Sequence, residues 1–173
     1  MALVFSCKTD TDKVQTLTET ENLPTESGKN INIVYSSNAR VQMVLTTPRL
    51  DRYTIGEKYL EFPEGIKVVF YDSLMNPRGS IFAKYARHHL DQDIFELRDS
   101  ILIVTENNQE VKTNELFWNR QKKTVYNNSP TTVSTSELIS TGEGFEADER
   151  FNVWSFRLPK GTILVETQEP AED

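Results

Sequence analysis

The sequence predicts an elongated all-β stack of repeated antiparallel units, and three observations carry that reading. A strand, polar turn and strand recur three times, as FAKYARHHLDQDIFEL at 82–97, VKTNELFWNRQKKTVY at 111–126 and GEGFEADERFNVWSF at 142–156. In the first copy Phe95, Leu97, Ile101 and Ile103 fall on one face while Glu96, Arg98 and Ser100 fall on the other, the period-two pattern of a strand with one buried face. No stretch longer than a turn carries a helical period.

Repetition at this period means stacked units sharing one core, because each unit alone offers too little apolar surface to be stable. The turns are Asp91-Gln92-Asp93, Asn119-Arg120-Gln121-Lys122-Lys123 and Asp148-Glu149-Arg150, and each second strand leads to a further apolar stretch, at 101–104, 131–133 and 162–165. Leu102 and Val104 interrupt the polar face of the first copy, so the far end of that strand is expected to be covered on both sides. In the second copy Val111, Thr113, Glu115 and Phe117 alternate with Lys112, Asn114, Leu116 and Trp118, so neither face is cleanly apolar and the register is undefined.

Upstream, Met1-Ala-Leu-Val-Phe-Ser-Cys7 is apolar up to the single cysteine and polar after it, which matches the end of a lipoprotein signal with Cys7 as the lipidated residue. A frayed terminus with a lone thiol is the alternative. Residues 8–30 are mostly Thr, Glu, Asp, Asn and Lys and are expected to be a flexible tether, so residues 1–30 form a truncated signal end plus tether. The single folded domain is expected over 31–165, with an acidic disordered tail at 166–173. Ile31, Ile33 and Tyr35, then Val41, Met43 and Leu45, predict a short hairpin ending at Thr47-Pro48, followed by a polar connection at 49–59. A strand at 66–71 lies between the turn sequences Phe62-Pro-Glu-Gly65 and Asn76-Pro-Arg-Gly79.

Composition bounds the function. With 173 residues the chain is one domain able to bury a core without staples, 37% apolar yet 10% aromatic. A net charge of −7, with no Lys/Arg run, argues against a nucleic-acid partner, and Lys122-Lys123 is a turn. His88 and His89 are adjacent and point to opposite faces of a strand, so they cannot chelate one metal together. No Cys/His ligand spacing, phosphate-cradling glycine loop or nucleophile elbow is present, so no catalytic residue, metal or cofactor is expected. Gly142-Glu-Gly144 reads as a bend at the start of a strand.

Order and spacing carry a family resemblance. Thr141-Gly-Glu-Gly-Phe-Glu-Ala-Asp148 with Phe151-Asn-Val-Trp-Ser-Phe156 is preceded in order by Phe62-Pro-Glu-Gly-Ile-Lys-Val-Val-Phe-Tyr-Asp72, Ile81-Phe-Ala-Lys-Tyr-Ala86, Leu97-Arg-Asp-Ser-Ile101 and Val111-Lys-Thr-Asn-Glu-Leu-Phe-Trp118. From 35 to 163 this resembles the LptC family, periplasmic proteins of lipopolysaccharide export. The resemblance implies an open antiparallel β-jellyroll of the OstA-like kind. It implies a non-enzymatic carrier that receives lipopolysaccharide from an inner-membrane ABC transporter and passes it to an LptA-like bridge protein. Phe95, Leu97, Ile101, Ile103, Val68, Phe70 and Phe156 would shield the lipid A acyl chains, and Thr162, Ile163, Leu164 and Val165 would form the docking edge. Relatives usually carry an N-terminal transmembrane helix; here a lipid on Cys7, or a segment absent from this chain, would hold it to the inner membrane.

Without the resemblance, the apolar stripe reads rather as an ordinary sandwich core than as a lipid groove. The alternative function is a β-sandwich lipoprotein of the periplasm or cell surface that binds sugars or proteins through Trp118 and Tyr126. A carbohydrate enzyme on the same scaffold lacks a nameable acid/base pair.

Overall fold

The computed structural model describes residues 23–164. Cys7, most of the predicted tether, Val165 and the acidic tail lie outside the described residues. The strands are β1 (Glu26–Ser37), β2 (Arg40–Tyr53), β3 (Tyr59–Phe62), β4 (Ile66–Tyr71), β5 (Pro77–Ala83), β6 (Tyr85–His89), β7 (Ile94–Val104), β8 (Glu110–Asn119), β9 (Thr124–Tyr126), β10 (Pro130–Ser134), β11 (Leu138–Asp148) and β12 (Trp154–Leu164). They form one 12-stranded sheet, all-β and antiparallel throughout. Among the described residues no helix is long and apolar enough to cross a membrane.

Three pairs of strands are halves of one run. β3 and β4 pair with opposite ends of β2, β6 and β5 with opposite ends of β7, and β9 and β10 with opposite ends of β8. Counted this way, the twelve strands are nine long runs in an up-and-down meander, each paired with its neighbours in sequence. Residues inward on both halves of the runs belong to one core, from Leu45, Val68 and Ile103 on one half to Phe62, Leu97 and Phe145 on the other. The sheet is therefore folded along a crease into two facing layers.

Where runs cross the crease the ladder is broken and the backbone departs from strand geometry. Asn30, Asp99, Ser100, Gly65 and Gly144 have left-handed φ, from 51° to 90°. At Gly65, φ is +90° and a Cβ would lie 2.6 Å from the Ala83 carbonyl oxygen, so only glycine fits. Groups freed from the ladder find substitutes. The Thr47 hydroxyl donates to Gly65 O at 2.8 Å, the Thr113 hydroxyl to Pro130 O at 3.0 Å, and Lys84 N to Asp99 O at 3.0 Å. Asn127 spans the break between β9 and β10 and is 3% exposed. Its amide nitrogen lies within 2.9 Å of Thr113 Oγ1, Glu115 O and Thr131 Oγ1, and its oxygen accepts from Phe145 N at 3.2 Å.

Within each layer the register lines up inward side chains across strands. In one layer the facing pairs connect Leu45, Val68, Ile81, Ile103, Val111 and Val133. In the other they connect Leu60, His88, Phe95, Trp118, Val125 and Ala147. Facing pairs on a sheet are close enough to pack directly, so each row is a continuous band perpendicular to the strands, apolar throughout in the first and interrupted by His88 in the second.

Two sequence expectations need correction here. Residues 26–30 are not tether, because Glu26, Ser27, Gly28 and Lys29 pair with Arg52, Asp51, Leu50 and Arg49 of β2. Backbone pairing with an established strand, reinforced by the 2.6 Å bond from Ser27 to the buried Asp51 carboxylate, supplies order that their polar side chains do not advertise. Likewise β2 does not end at Thr47-Pro48 but continues to Tyr53. Pro48 falls at the crease, where the ladder skips from Thr47 to Arg49, and its missing N–H leaves no pairing unmade.

Asn127→Ala removes the acceptor of Phe145 N and the donor for buried oxygens, and is expected to lower unfolding free energy by roughly 2–4 kcal/mol. Urea denaturation checks this; a loss under about 1 kcal/mol would show that the crease does not depend on this side chain.

Candidate functional site

The inner faces of the two layers do not fill the space between them. They enclose a cleft of about 630 Å³, walled by Met43, Phe70 and Ile103 from one layer and Leu97, Leu116 and Trp118 from the other. The interior closes where the 149–153 turn folds over it: Phe151 is 8% exposed and joins the core. With its amide turned to donate to Phe151 O (3.3 Å) and accept from Trp154 Nε1 (3.2 Å), Gln109 ties the two layers there. Val111, Val133 and Phe145, in this closed part, are 0% exposed. Toward β1, β2 and β4 the cleft opens, and Tyr35 at its mouth is 46% exposed. A packed core and an open cleft thus coexist in one interior.

The residues expected inside divide between these two environments. Phe70, Leu97 and Ile103 line the cleft. Val68 and Ile101 are buried in the core at 5% and 2% exposure and do not reach it. Phe95 is half-buried, stacked between His88 (3.9 Å) and Trp118 (5.6 Å). Phe156 packs on Phe145 at 5.7 Å, and a Cβ at Gly142 would collide with its ring. The glycine pair does sit at a bend, but in the middle of β11, where run and crease intersect.

Charged side chains ring the mouth. Arg78 pairs with Glu106 at 3.8 Å and Arg120 with Asp93 at 3.5 Å. Arg120 also lies 5.9 Å from both the Tyr35 and Trp118 rings, which places it across the opening. His88 faces inward; burial lowers its pKa, and the 2.9 Å contact with Asp93 only partly offsets this. The sequence reads 119–123 and 148–150 simply as turns and does not place Arg120, Lys123 and Arg150 on the cleft. Only knowledge of which turns share an end of the meander would have found them.

The outer face is a polar network. His89 bridges Glu57 (2.8 Å) and Glu96 (3.0 Å). Burial of Glu61 opposes its ionisation, but bonds from Arg87 (2.8 Å) and Tyr85 (2.6 Å) outweigh it and hold the carboxyl below its ordinary pKa. Among the described residues no group of three or more His, Cys, Asp and Glu side chains could hold a metal. The two aromatics named for sugar or protein binding lie on different faces of the sheet. Trp118 faces the cleft, while Tyr126, 37% exposed, stacks on Phe117 on the opposite face, so the two cannot meet one ligand.

Both ends of the meander are edges among the described residues: β1 pairs with β2 alone and β12 with β11 alone. On β12, Ile163 and Leu164 are 69% and 77% exposed, and Thr162 bonds to Ser140 at 3.1 Å.

A protein-family model described as lipopolysaccharide-assembly, LptC-related, matches residues 1–154. No curated protein matches the chain.

The division between core and cleft is measurable. Ile101→Asp buries an unpaired carboxylate and should abolish folding, whereas Met43→Asp can hydrate its charge through the open mouth. Their denaturation free energies are expected to differ by at least about 2 kcal/mol; equal losses would mean that the cleft is closed in solution.

Proposed function

This chain belongs to the LptC-related family of lipopolysaccharide-assembly proteins, and from that membership we propose that its cleft carries the acyl chains of lipopolysaccharide at the inner-membrane side of the periplasm. It receives the lipid from an inner-membrane ABC transporter and hands it to an LptA-like bridge protein. The observation that supports this most is an apolar interior that remains partly unfilled and open at one side. Acyl chains cannot cross an aqueous space exposed, and a slot walled by alternate strand residues removes them from water while the sugars stay hydrated. The task is passive binding, and the sequence has no phosphate-cradling loop to draw energy from a nucleotide.

Hand-over uses the edge. Among the described residues β12 has backbone groups unpaired along one side and exposed Ile163 and Leu164, which suits the addition of a strand from the next protein. Thr162, Ile163 and Leu164 form the described part of this docking edge.

Photoreactive side chains test the cargo assignment directly. Placed at Met43 or Phe70 they are expected to cross-link lipopolysaccharide in cells, while one at Val34, 55% exposed and outside the cleft lining, is not. Equal labelling at all three positions would sink the interior site. For the edge, Leu164→Pro removes a backbone donor and is expected to reduce co-purification of the bridge protein at least about fivefold with lipid cross-linking retained. Undiminished co-purification would move the docking surface elsewhere.

A further inference from the structure

The lip of the cleft holds two cations that the fold does not use. Arg78 and Arg120 are engaged by Glu106 and Asp93, but Lys123 and Arg150 have no ion pair or side-chain hydrogen bond among the described residues, although both line the cleft. They come from different turns brought together by the backbone, since Glu149 N donates to Lys123 O at 3.1 Å. Among the charged residues that line the cleft, the four cations Arg78, Arg120, Lys123 and Arg150 outnumber the three carboxylates Asp93, Glu106 and Glu149, so the lining is net positive on a chain whose formal charge is −7. Solvated turn residues are ordinarily unremarkable. These sit where an apolar floor ends, and a second feature of that floor also lacks a partner: the Trp118 Nε1–H is buried with no acceptor. A buried donor without an acceptor is uncommon and calls for one.

Trp118 stands next to the last residue of β8 and Lys123 in the turn that follows it, so apolar floor, orphaned donor and cationic turn succeed one another along the chain as acyl chain, linking carbonyl and phosphate do in a phosphorylated lipid. We propose that Lys123 and Arg150 form a phosphate-recognition lip that selects anionic lipids over neutral ones and fixes the direction in which they enter, with Trp118 donating to the carbonyl that joins chain to headgroup. This rests on the reading that the cleft takes acyl chains. Charge-assisted bonds to a phosphate are the strong class of hydrogen bond, and the neighbouring apolar wall limits competing water.

The test measures binding of phosphatidic acid and of diacylglycerol with identical short chains to the full chain. The wild type is expected to prefer phosphatidic acid by about tenfold, with the preference shrinking as salt is added. In Lys123→Ala/Arg150→Ala the preference should fall below about twofold with diacylglycerol affinity unchanged, while Lys123→Arg/Arg150→Lys retains it. Circular dichroism confirms that the variants are folded, and Arg150→Gln alone, which leaves the turn backbone unaltered, is expected to be intermediate. An undiminished preference in the double alanine variant overturns the lip while leaving the cleft assignment intact. Displacement of phosphatidic acid by an equal concentration of inorganic phosphate also overturns it, because the site would then serve the free anion. Binding of neither lipid by the wild type overturns the acyl-chain reading, and the lip with it.

Discussion

Everything in this fold depends on how the runs cross the crease. A strand that turns from one layer into the other must abandon its ladder for one or more residues, and buried backbone groups without partners are costly. The chain meets this with side chains that imitate backbone: the hydroxyls of Thr47 and Thr113 bond carbonyls across the break, and Asn127 serves both sides of its own interruption. Residues held at left-handed φ, among them Asp99, Ser100 and Gly144, complete the bend. These devices let a single sheet enclose an interior without ever closing into a barrel.

An unclosed interior has a filled end and an unfilled one, and the difference lies in the side chains above the crease. Where Phe151, Trp154 and Gln109 fold across, the rows of facing residues are sealed and Val111 and Phe145 lose all exposure. Where the first runs end in Tyr35, Met43 and Phe70, no cluster of comparable size among the described residues reaches over, and apolar surface remains available. Membership in a lipopolysaccharide-assembly family is the ground for the acyl-chain cargo proposed for that surface, and the chemistry suits it, since burial of apolar area is non-directional and accepts any chain that fits. The same open architecture leaves two strand edges for neighbours.

Much of this was legible, and where it was not the crease is the reason. The three repeats correspond to β6–β7, β8–β9 and β11–β12 with their turns. In β7 the inward positions Leu97, Ile101 and Ile103 keep the same parity because two extra residues, Asp99 and Ser100, are bulged out. That strand therefore looked regular. In β8 a single residue, Asn114, lies between the halves, so inward positions change from Val111 and Thr113 to Leu116 and Trp118. A parity change within one strand looks like a strand with two mixed faces, which is why its register could not be assigned. β2 to β3 forms a fourth copy of the unit that escaped notice, because Pro48 and the polar residues beyond it imitate a strand end. The cationic lip was invisible for a different cause: its members are separated in sequence and meet only when turns stack.

The number of runs carries a consequence for assembly. In an up-and-down meander direction alternates, so with nine runs drawn from the 12 strands the first and the last travel the same way. β1 and β12 each pass from the layer of β3 and β6 to the layer of β4 and β5. If a second unit of this plan is set beside β12 with its layers aligned, so that one channel continues into the next, the two edges meet as parallel strands. Parallel pairing has slanted bonds and is slightly weaker per residue than the antiparallel pairing within each unit. A conduit assembled this way has its weakest seam between proteins and never inside one, so it comes apart into intact segments.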